Sequence, residues 1–311
     1  MTGRPTDLSR RGALRAGVLA VLAVPLAACS PGYDESPDPL APLLAAAQAD
    51  VSAAKALAGG NDGEVAVQVA DARAAHATAL KSEVDRLNRP KPTAPAPVAA
   101  AEPGLDGLKK RLAEARKQAE QLVPTLPRYR AGLLASIAAG CAGLQRIDKL
   151  GPGEAAATLT EPTTKQLPAE AVDALQQALA AEHAAIWVYG LVSAFLPANF
   201  DKAVADGAAE HVKRRELSVK VLSASGATPA APEAAYVPPK PVTDQASAAA
   251  VIASAESDTA AAWLGVVDHT DDAELRTMAL RALIASARRA TPWRQESGEK
   301  PPTPAMPGQA G

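Results

Sequence analysis

Alanine and leucine recur at helical spacing along most of the chain, whereas β-branched residues never alternate with polar ones for long. Proline-rich segments such as "NRPKPTAPAP" and "PAAPEAAYVPPKP" interrupt the periodic stretches and mark the connections between them. The pattern predicts an all-α protein with eight helices, at residues 40–58, 63–88, 104–122, 127–149, 169–196, 199–224, 244–269 and 271–290.

The fifth predicted helix carries two polar residues, Glu182 and His183, inside the apolar stretch "ALAAEHAAIWVYG". Positions that advance by alternating steps of four and three place Glu182 on the buried seam of this helix. His183 is rotated from that seam by about 100° and lies at its flank. A buried carboxylate needs a partner, so the neighbouring helices are expected to supply one.

Polar residues of the next two helices are candidates for that partner. The same spacing places Glu256 on the seam of the seventh helix. In the sixth helix one stripe contains His211 and Arg214, and it fits better than a neighbouring stripe with Glu210. We therefore expect Glu182, His211, Arg214 and Glu256 to converge in one bundle core.

The eight helices divide into two groups of four, and in each group a longer proline-containing connection follows the second helix. Short segments of the groups also align, such as "AEARKQAEQL" with "AESDTAAAWL". This predicts a duplicated four-helix bundle with the long crossover of ferritin-like bundles. The predicted order is a signal peptide (1–28), a tether (29–39), an N-terminal helical bundle (40–150), a linker (151–168), a second four-helix bundle (169–292) and a disordered tail (293–311).

The N-terminal group is the more degenerate of the two. His76 and Glu114 take the places of His211 and Glu256, but the uncharged Gln48 takes the place of Glu182. We expect no metal site in this half. Its expected role is to pack against the second bundle or to extend it.

The second half resembles a known family through "AEHAAIWVYG", "AEHVKRREL" and "AESDTAAAW". These short motifs, within residues 169–292, are similar to the ferritin-like domain of unknown function found in exported, often lipid-anchored proteins of high-GC bacteria. The resemblance implies a ferritin-like bundle first and metal chemistry only second.

A carboxylate-bridged di-iron site in such a bundle needs a glutamate from each of two helices and a Glu-x-x-His pair from each of the other two. Glu182 and Glu256 match the lone glutamates, and His211 matches one histidine. Ala208 stands where the glutamate of that pair is needed. The eighth helix has no acid or histidine after Glu274; it carries Arg281, Arg288 and Arg289, and arginine cannot bind a metal.

Two interpretations of these polar residues remain open. One is a buried polar network of Glu182, His183, His211, Arg214 and Glu256, left over from a metal site. The other is a surviving site for iron or another divalent metal, with ligands drawn from Glu182, Glu210, His211 and Glu256. A third possibility, a small ligand captured between the bundles, has no motif in its favour.

The N-terminus has the pattern of an export signal. "SRRGALR" is followed by an apolar run of 13 residues and by "LAAC", which ends at Cys29. The run is shorter than the roughly 20 residues that span a bilayer, and small residues before a cysteine resemble a lipobox, so Cys29 is the predicted lipid attachment site. The paired arginines resemble a twin-arginine motif, although Ala13 leaves the general secretory route open.

Charge and motifs exclude several classes of function. Removal of the first 28 residues takes away four arginines and one aspartate, so the formal charge falls from −2 to −5. An acidic chain without basic clusters is not expected to bind nucleic acid. Phosphate-binding loops, Cys-x-x-Cys and nucleophile motifs are missing, so we predict no catalytic residues and no cofactor-binding motif. The remaining cysteine, Cys141, lies in an apolar helix and is expected to be inert.

These observations favour a lipid-anchored protein of the cell envelope, held on the outer face of the cytoplasmic membrane through Cys29. Its ferritin-like bundle is expected to be a non-enzymatic interaction or scaffold module for a protein partner that the sequence does not identify. The alternative is an iron-handling, metal-binding protein that uses Glu182, His211 and Glu256.

Overall fold

The computed structural model describes residues 36–90, 102–163, 166–238 and 240–309. Cys29 and the export signal lie outside these residues. Within them the secondary structure consists of helices and turns with no strand, which confirms the all-α prediction. The α-helices of the described segments are α1 (Ala41–Leu57), α2 (Gly63–Leu87), α3 (Gly104–Leu122), α4 (Arg128–Leu144), α5 (Ala169–Val192), α6 (Asp201–Ala224), α7 (Gln245–Asp268) and α8 (Ala273–Glu296).

Local sequence sets the starts of several helices. α3, α4 and α5 each begin directly after a proline, whose fixed φ suits the entry to a helix. The Asp244 side chain caps α7 by accepting a hydrogen bond from the Ser247 backbone N–H, and Asp272 caps α8 in the same way. The helix positions agree with the sequence pattern, and the largest differences are at the C-terminal ends of α4 and α8.

The two halves pack their helices in the same pattern. α1 contacts α2 and α3, and α3 contacts α4; in the second half α5 contacts α6 and α7, and α7 contacts α8. The halves meet where α4 packs against α7 and α8. A single apolar cluster contains buried residues from all of these helices, so the two halves share one hydrophobic core. The duplication itself stays a prediction.

The segment after α8 packs against the protein, in contrast to the disordered tail that we predicted from residue 293. α8 continues through Pro292 to Glu296. Its last turn packs against the protein through Trp293, which is buried. Beyond it, the Pro307 carbonyl accepts a hydrogen bond of 2.9 Å from Ser136 of α4. Gly140 of α4 allows the same segment to approach closely at Ala305, since a Cβ at position 140 would lie 2.0 Å from the Ala305 carbonyl oxygen. The composition of the tail predicted disorder because it carries no information about the glycine of α4 against which the segment packs.

A second, smaller apolar cluster lies near one end of the C-terminal bundle and contains residues of α5 and α7 together with Trp293. Along α5, Leu179 belongs to the larger cluster and Ala185 to the smaller one, and Glu182 lies between them. Along α7, Glu256 likewise separates the two clusters. A layer of charged side chains therefore divides the apolar interior of this bundle.

Of the described residues, Ala169–Phe195 is a helical stretch that is long and apolar enough to cross a membrane, judged by length and composition alone. In the structure this stretch contributes α5, which packs against α6 and α7 and holds Glu182 in the bundle interior. Such packing is what a core helix of a bundle requires.

Candidate functional site

The charged layer of the C-terminal bundle contains four side chains that the helical spacing placed on buried seams. Glu182, His211, Arg214 and Glu256 are each 0% exposed. They come from α5, α6 and α7, and their burial agrees with the predicted seams. Charged groups at such depth are stable only when they neutralise one another.

His211 joins the two carboxylates. Its Nδ1 lies 2.6 Å from Glu182 Oε2, and its Nε2 lies 3.1 Å from Glu256 Oε1. A carboxylate can only accept, so both ring nitrogens donate and the imidazole is protonated. Burial lowers the pKa of His211, but the negative charges of Glu256 and Glu182 outweigh it and raise that pKa above its usual value of 6.5.

Two arginines add further positive charge beside the carboxylates. Arg214 Nη1 donates to Ser286 of α8 at 2.8 Å and lies 3.6 Å from Glu182 Oε1. Arg289, from α8, donates from Nε to Glu256 Oε1 at 2.6 Å. Arg289 is the inward-facing arginine of α8 that sequence reasoning left unassigned. The layer thus sets three cations against two fully buried carboxylates.

Two aromatic residues hold these carboxylates from the opposite helix. The Tyr189 hydroxyl of α5 donates to Glu256 Oε1 of α7 at 2.7 Å. The Trp263 indole N–H of α7 donates to Glu182 Oε1 of α5 at 2.6 Å. On each helix the aromatic residue follows the acid by seven positions, so the reciprocal bonds require α5 and α7 to be antiparallel.

Both buried glutamates are ionised at neutral pH. Burial raises the pKa of Glu256, but Arg289 and then His211 lower it much further, so it ends well below the usual value. For Glu182 the same contest between burial and the charges of His211 and Arg214 also lowers the pKa. A general acid or base works best with a pKa near the working pH. Both carboxylates therefore carry a negative charge at neutral pH, and their pKa values lie far from the pKa that suits such a group.

Comparison with known proteins bears on this bundle. Residues 174–311 match the sequence model of a family described as a domain of unknown function, DUF4439.

The chain carries a DUF4439 domain. It is also 40% identical to a solved structure described as a conserved hypothetical protein, rv2844, from Mycobacterium tuberculosis, with a TM-score of 0.40. That similarity covers 42% of this chain and 98% of the other. No curated protein matches the chain. The match to the DUF4439 model takes in the whole charged layer and the packed C-terminal segment.

Two residues of the predicted site lie outside the charged layer of the DUF4439 domain. His183 is half-buried on the flank of α5, and its Nε2 lies 3.3 Å from the Ala230 carbonyl oxygen, so it does not join the network. The Glu210 side chain is 29% exposed, and its Oε1 lies 3.7 Å from Arg214 Nε. Glu210 therefore belongs to the rim of the bundle, where it adds a third negative charge near Arg214.

The residues present do not fit the metal centre of a ferritin-like bundle. In the described ranges no group of three or more histidine, cysteine, aspartate or glutamate side chains is arranged to hold a metal ion. Each ring nitrogen of His211 faces a different carboxylate, and Arg289 contacts Glu256 Oε1, the oxygen that also accepts from Tyr189. The other oxygen, Oε2, is buried and has no hydrogen-bond partner among the described residues. The positive charge beside the two carboxylates comes from His211, Arg214 and Arg289.

The N-terminal half has a buried polar cluster of its own. Arg73 of α2 forms an ion pair of 2.9 Å with Asp50 of α1, and its Nη1 lies 2.9 Å from His76 Nδ1. His76 Nε2 donates to the Ala305 carbonyl at 2.6 Å. Burial and then the charge of Arg73 lower the pKa of His76 to about 3, so this histidine is neutral. The adjacent Cys141 is fully buried, and burial raises the pKa of its thiol.

This cluster corrects the sequence alignment of the two halves. Gln48 and Glu114 are both exposed, so neither takes the place assigned to it. The buried acid of α1 is Asp50, which the alignment overlooked. A signal for it was available, because Leu43, Ala47, Asp50 and Ala54 follow the same four-three spacing that located Glu182.

Proposed function

We propose that this protein is a lipid-anchored component of the cell envelope, and that its ferritin-like bundle is a non-enzymatic interaction or scaffold module. One observation supports this proposal most directly: His211 donates to Glu182 and Glu256 at once, and Arg289 neutralises Glu256 from the other side. In a ferritin-like bundle this interior position would hold metal. Here internal ion pairs occupy it and fix the relative positions of the helices.

The burial of these groups supports a structural role. The carboxylates are closed off from solvent, and their lowered pKa values keep both of them ionised at neutral pH. A buried network of this kind restricts how α5, α6 and α7 can pack, because a shift of one helix would leave a charge unpaired. We infer that the network keeps the surface of the module in one shape for a protein partner.

Membrane anchoring rests on the N-terminal sequence, which precedes the described residues. Replacement of Cys29 by alanine should release the protein from the membrane fraction, since the lipid has no other attachment point. Cys141→Ala is the matched control and should stay in the membrane fraction, because that thiol is buried. Fractionation followed by immunoblotting measures both. If the Cys29 variant remains membrane-bound, the lipoprotein assignment is wrong.

The competing hypothesis is an iron-handling protein, and the convergence of Glu182, His211 and Glu256 in one buried layer is the observation in its favour. Residues 30–311 should be purified without chelator or a histidine tag and mixed with ferrous iron, manganese or zinc. We expect substoichiometric metal and an unchanged melting temperature. Stoichiometric metal that disappears in Glu256→Gln, but not in the exposed control Glu216→Gln, would favour the metal-binding function.

A further inference from the structure

A cavity of about 780 Å³ lies between α6 and α8, where the C-terminal bundle is open. Every other neighbouring pair of helices in this bundle packs directly, and α6 and α8 are bridged mainly by the side-chain bond between Arg214 and Ser286. Linker residues 155–159 form the third wall. The volume is in the range of about 300–1,000 Å³ that small-molecule sites occupy.

One part of the cavity wall is apolar. Phe200 and Trp293 lie against each other at its end, with ring centroids 5.5 Å apart, and Leu159 and Leu217 extend the apolar surface towards the linker. From Arg281 to Trp293 the wall follows α8 for roughly 18 Å, at 1.5 Å per residue. The cavity is therefore long and suits an extended apolar group.

The linker side of the same cavity is cationic. Arg146, Arg281 and Arg288 line it, and each donates hydrogen bonds to neutral oxygen atoms. Arg281 donates to the Thr158 carbonyl at 2.8 Å, Arg288 to the Pro152 carbonyl at 2.8 Å, and Arg146 to the same carbonyl at 3.4 Å. Within the described segments, none of the three has a carboxylate within 4.0 Å.

Arg288 is partly buried and lies near other positively charged side chains. Its Nη1 is buried without a hydrogen-bond partner. Burial and then the positive charges of Arg116 and Arg146 lower its pKa to about 10. An anion placed beside it would relieve both the repulsion and the missing bond, since the fork of N–H groups on arginine fits carboxylate and phosphate oxygens.

The acidic residues of the cavity do not neutralise these arginines, because they pair with cations of their own helix. On α6, Asp206 lies 2.7 Å from Lys202, and Glu216 lies 3.3 Å from Arg215. Glu210 is nearest to Arg214 and Lys213. The α8 and linker side thus keeps its positive charge, and the apolar surface lies next to it.

We propose that this cavity binds a small amphiphile that carries a carboxylate or phosphate head group on an apolar chain. Arg281 and Arg288 hold the head group, and the apolar chain lies against Leu217, Phe200 and Trp293. This ligand site goes beyond the proposed scaffold function and does not depend on it. Arg289 lines the cavity and also contacts Glu256 of the charged layer, but Arg281 and Arg288, which hold the head group, lie outside that layer.

The test uses residues 30–311 and calorimetric titration below the micelle concentration of each probe. The anionic probes are dodecanoate and dodecyl phosphate; the comparison probes are dodecanol, dodecyltrimethylammonium and inorganic phosphate. We expect the two anionic amphiphiles to bind at least tenfold more tightly than any comparison probe. Equal binding of dodecyltrimethylammonium would overturn the role of charge, and equal binding of inorganic phosphate would overturn the role of the apolar chain.

Three variants locate the site. Arg288→Gln should weaken dodecyl phosphate at least tenfold, and Ala285→Phe should abolish binding by filling the cavity while the arginines remain. Lys81→Gln removes the same charge from an exposed position on α2, which does not line this cavity, and should leave binding unchanged. Melting curves confirm that each variant is folded. The proposal fails if the folded protein binds neither anionic amphiphile, or if Arg288→Gln and Ala285→Phe both bind like the wild type.

Discussion

Replacement of Glu182 by alanine tests the charged layer most directly. The wild-type carboxylate accepts hydrogen bonds of 2.6 Å from His211 and from Trp263, and it lies 3.6 Å from the Arg214 guanidinium. In the variant Arg214 and Trp263 stay buried without this partner. Both side chains are fully buried, so water cannot replace the hydrogen bonds that the carboxylate accepted.

The expected cost follows from these contacts. Removal of one member of a buried ion pair typically costs about 3–5 kcal/mol. An unsatisfied indole N–H costs about 1–3 kcal/mol by itself, but the two losses share the same carboxylate and do not simply add. We therefore expect Glu182→Ala to lower the free energy of unfolding by about 3–5 kcal/mol. At about 2–4 °C per kcal/mol, the melting temperature should fall by roughly 10 °C.

Urea denaturation followed by far-ultraviolet circular dichroism measures this change. Glu216→Ala is the matched control: its side chain is 60% exposed, so its loss should stay within about 0.5 kcal/mol. The double variant Glu182→Ala/Arg214→Met should recover part of the stability, because it removes the stranded cation. A loss below about 1 kcal/mol for Glu182→Ala, or no recovery in the double variant, would refute the argument.

Three further predictions concern the histidines and the packed C-terminal segment. The folded state raises the pKa of His211 above 6.5, so its stabilisation is complete below pH 6.5 and is lost as pH rises through the folded pKa; His211→Gln should remove this alkaline loss in urea titrations from pH 6 to 9. Folding lowers the pKa of His76 from 6.5 to about 3, so the unfolded state binds a proton first as the pH falls. The free energy of unfolding should therefore decline by about 1.4 kcal/mol per pH unit below pH 6.5. His76→Gln should flatten that decline. Gly140→Ala places a Cβ 2.0 Å from the Ala305 carbonyl oxygen and should lower the free energy of unfolding by about 1–3 kcal/mol. Limited proteolysis should then cleave the chain after residue 298 faster than in the wild type. An unchanged cleavage rate would contradict the packing of this segment.

Helical periodicity carried the prediction of the charged layer a long way. Glu182 and Glu256 lie on seams because each is surrounded by apolar residues at four-three spacing, and both are fully buried in the structure. The same spacing, applied to α1, would have selected Asp50 instead of the exposed Gln48. There the choice rested on an alignment of alanine-rich segments, in which several registers fit almost equally well.

The choice of partners was beyond the reach of periodicity. Arg281, Arg288 and Arg289 all lie on α8, yet only Arg289 contacts Glu256, while the other two bind linker carbonyls. Tyr189 and Trp263, each seven residues after a buried glutamate, donate to the carboxylate of the opposite helix. Which donor meets which acid depends on the helix that lies opposite, and that is a property of the assembled bundle.

Local sequence was enough to predict the eight helices of the described segments and the buried faces of α5, α6 and α7, because each of these depends on residues within a few turns of one another. Tertiary structure alone decided that α6 and α8 leave a cavity and that the C-terminal segment lies along α4. It also decided that His211 lies between Glu182 and Glu256 and that Arg289 contacts Glu256. These features join residues far apart in the chain, so their energies depend on distances that exist only after the helices have packed.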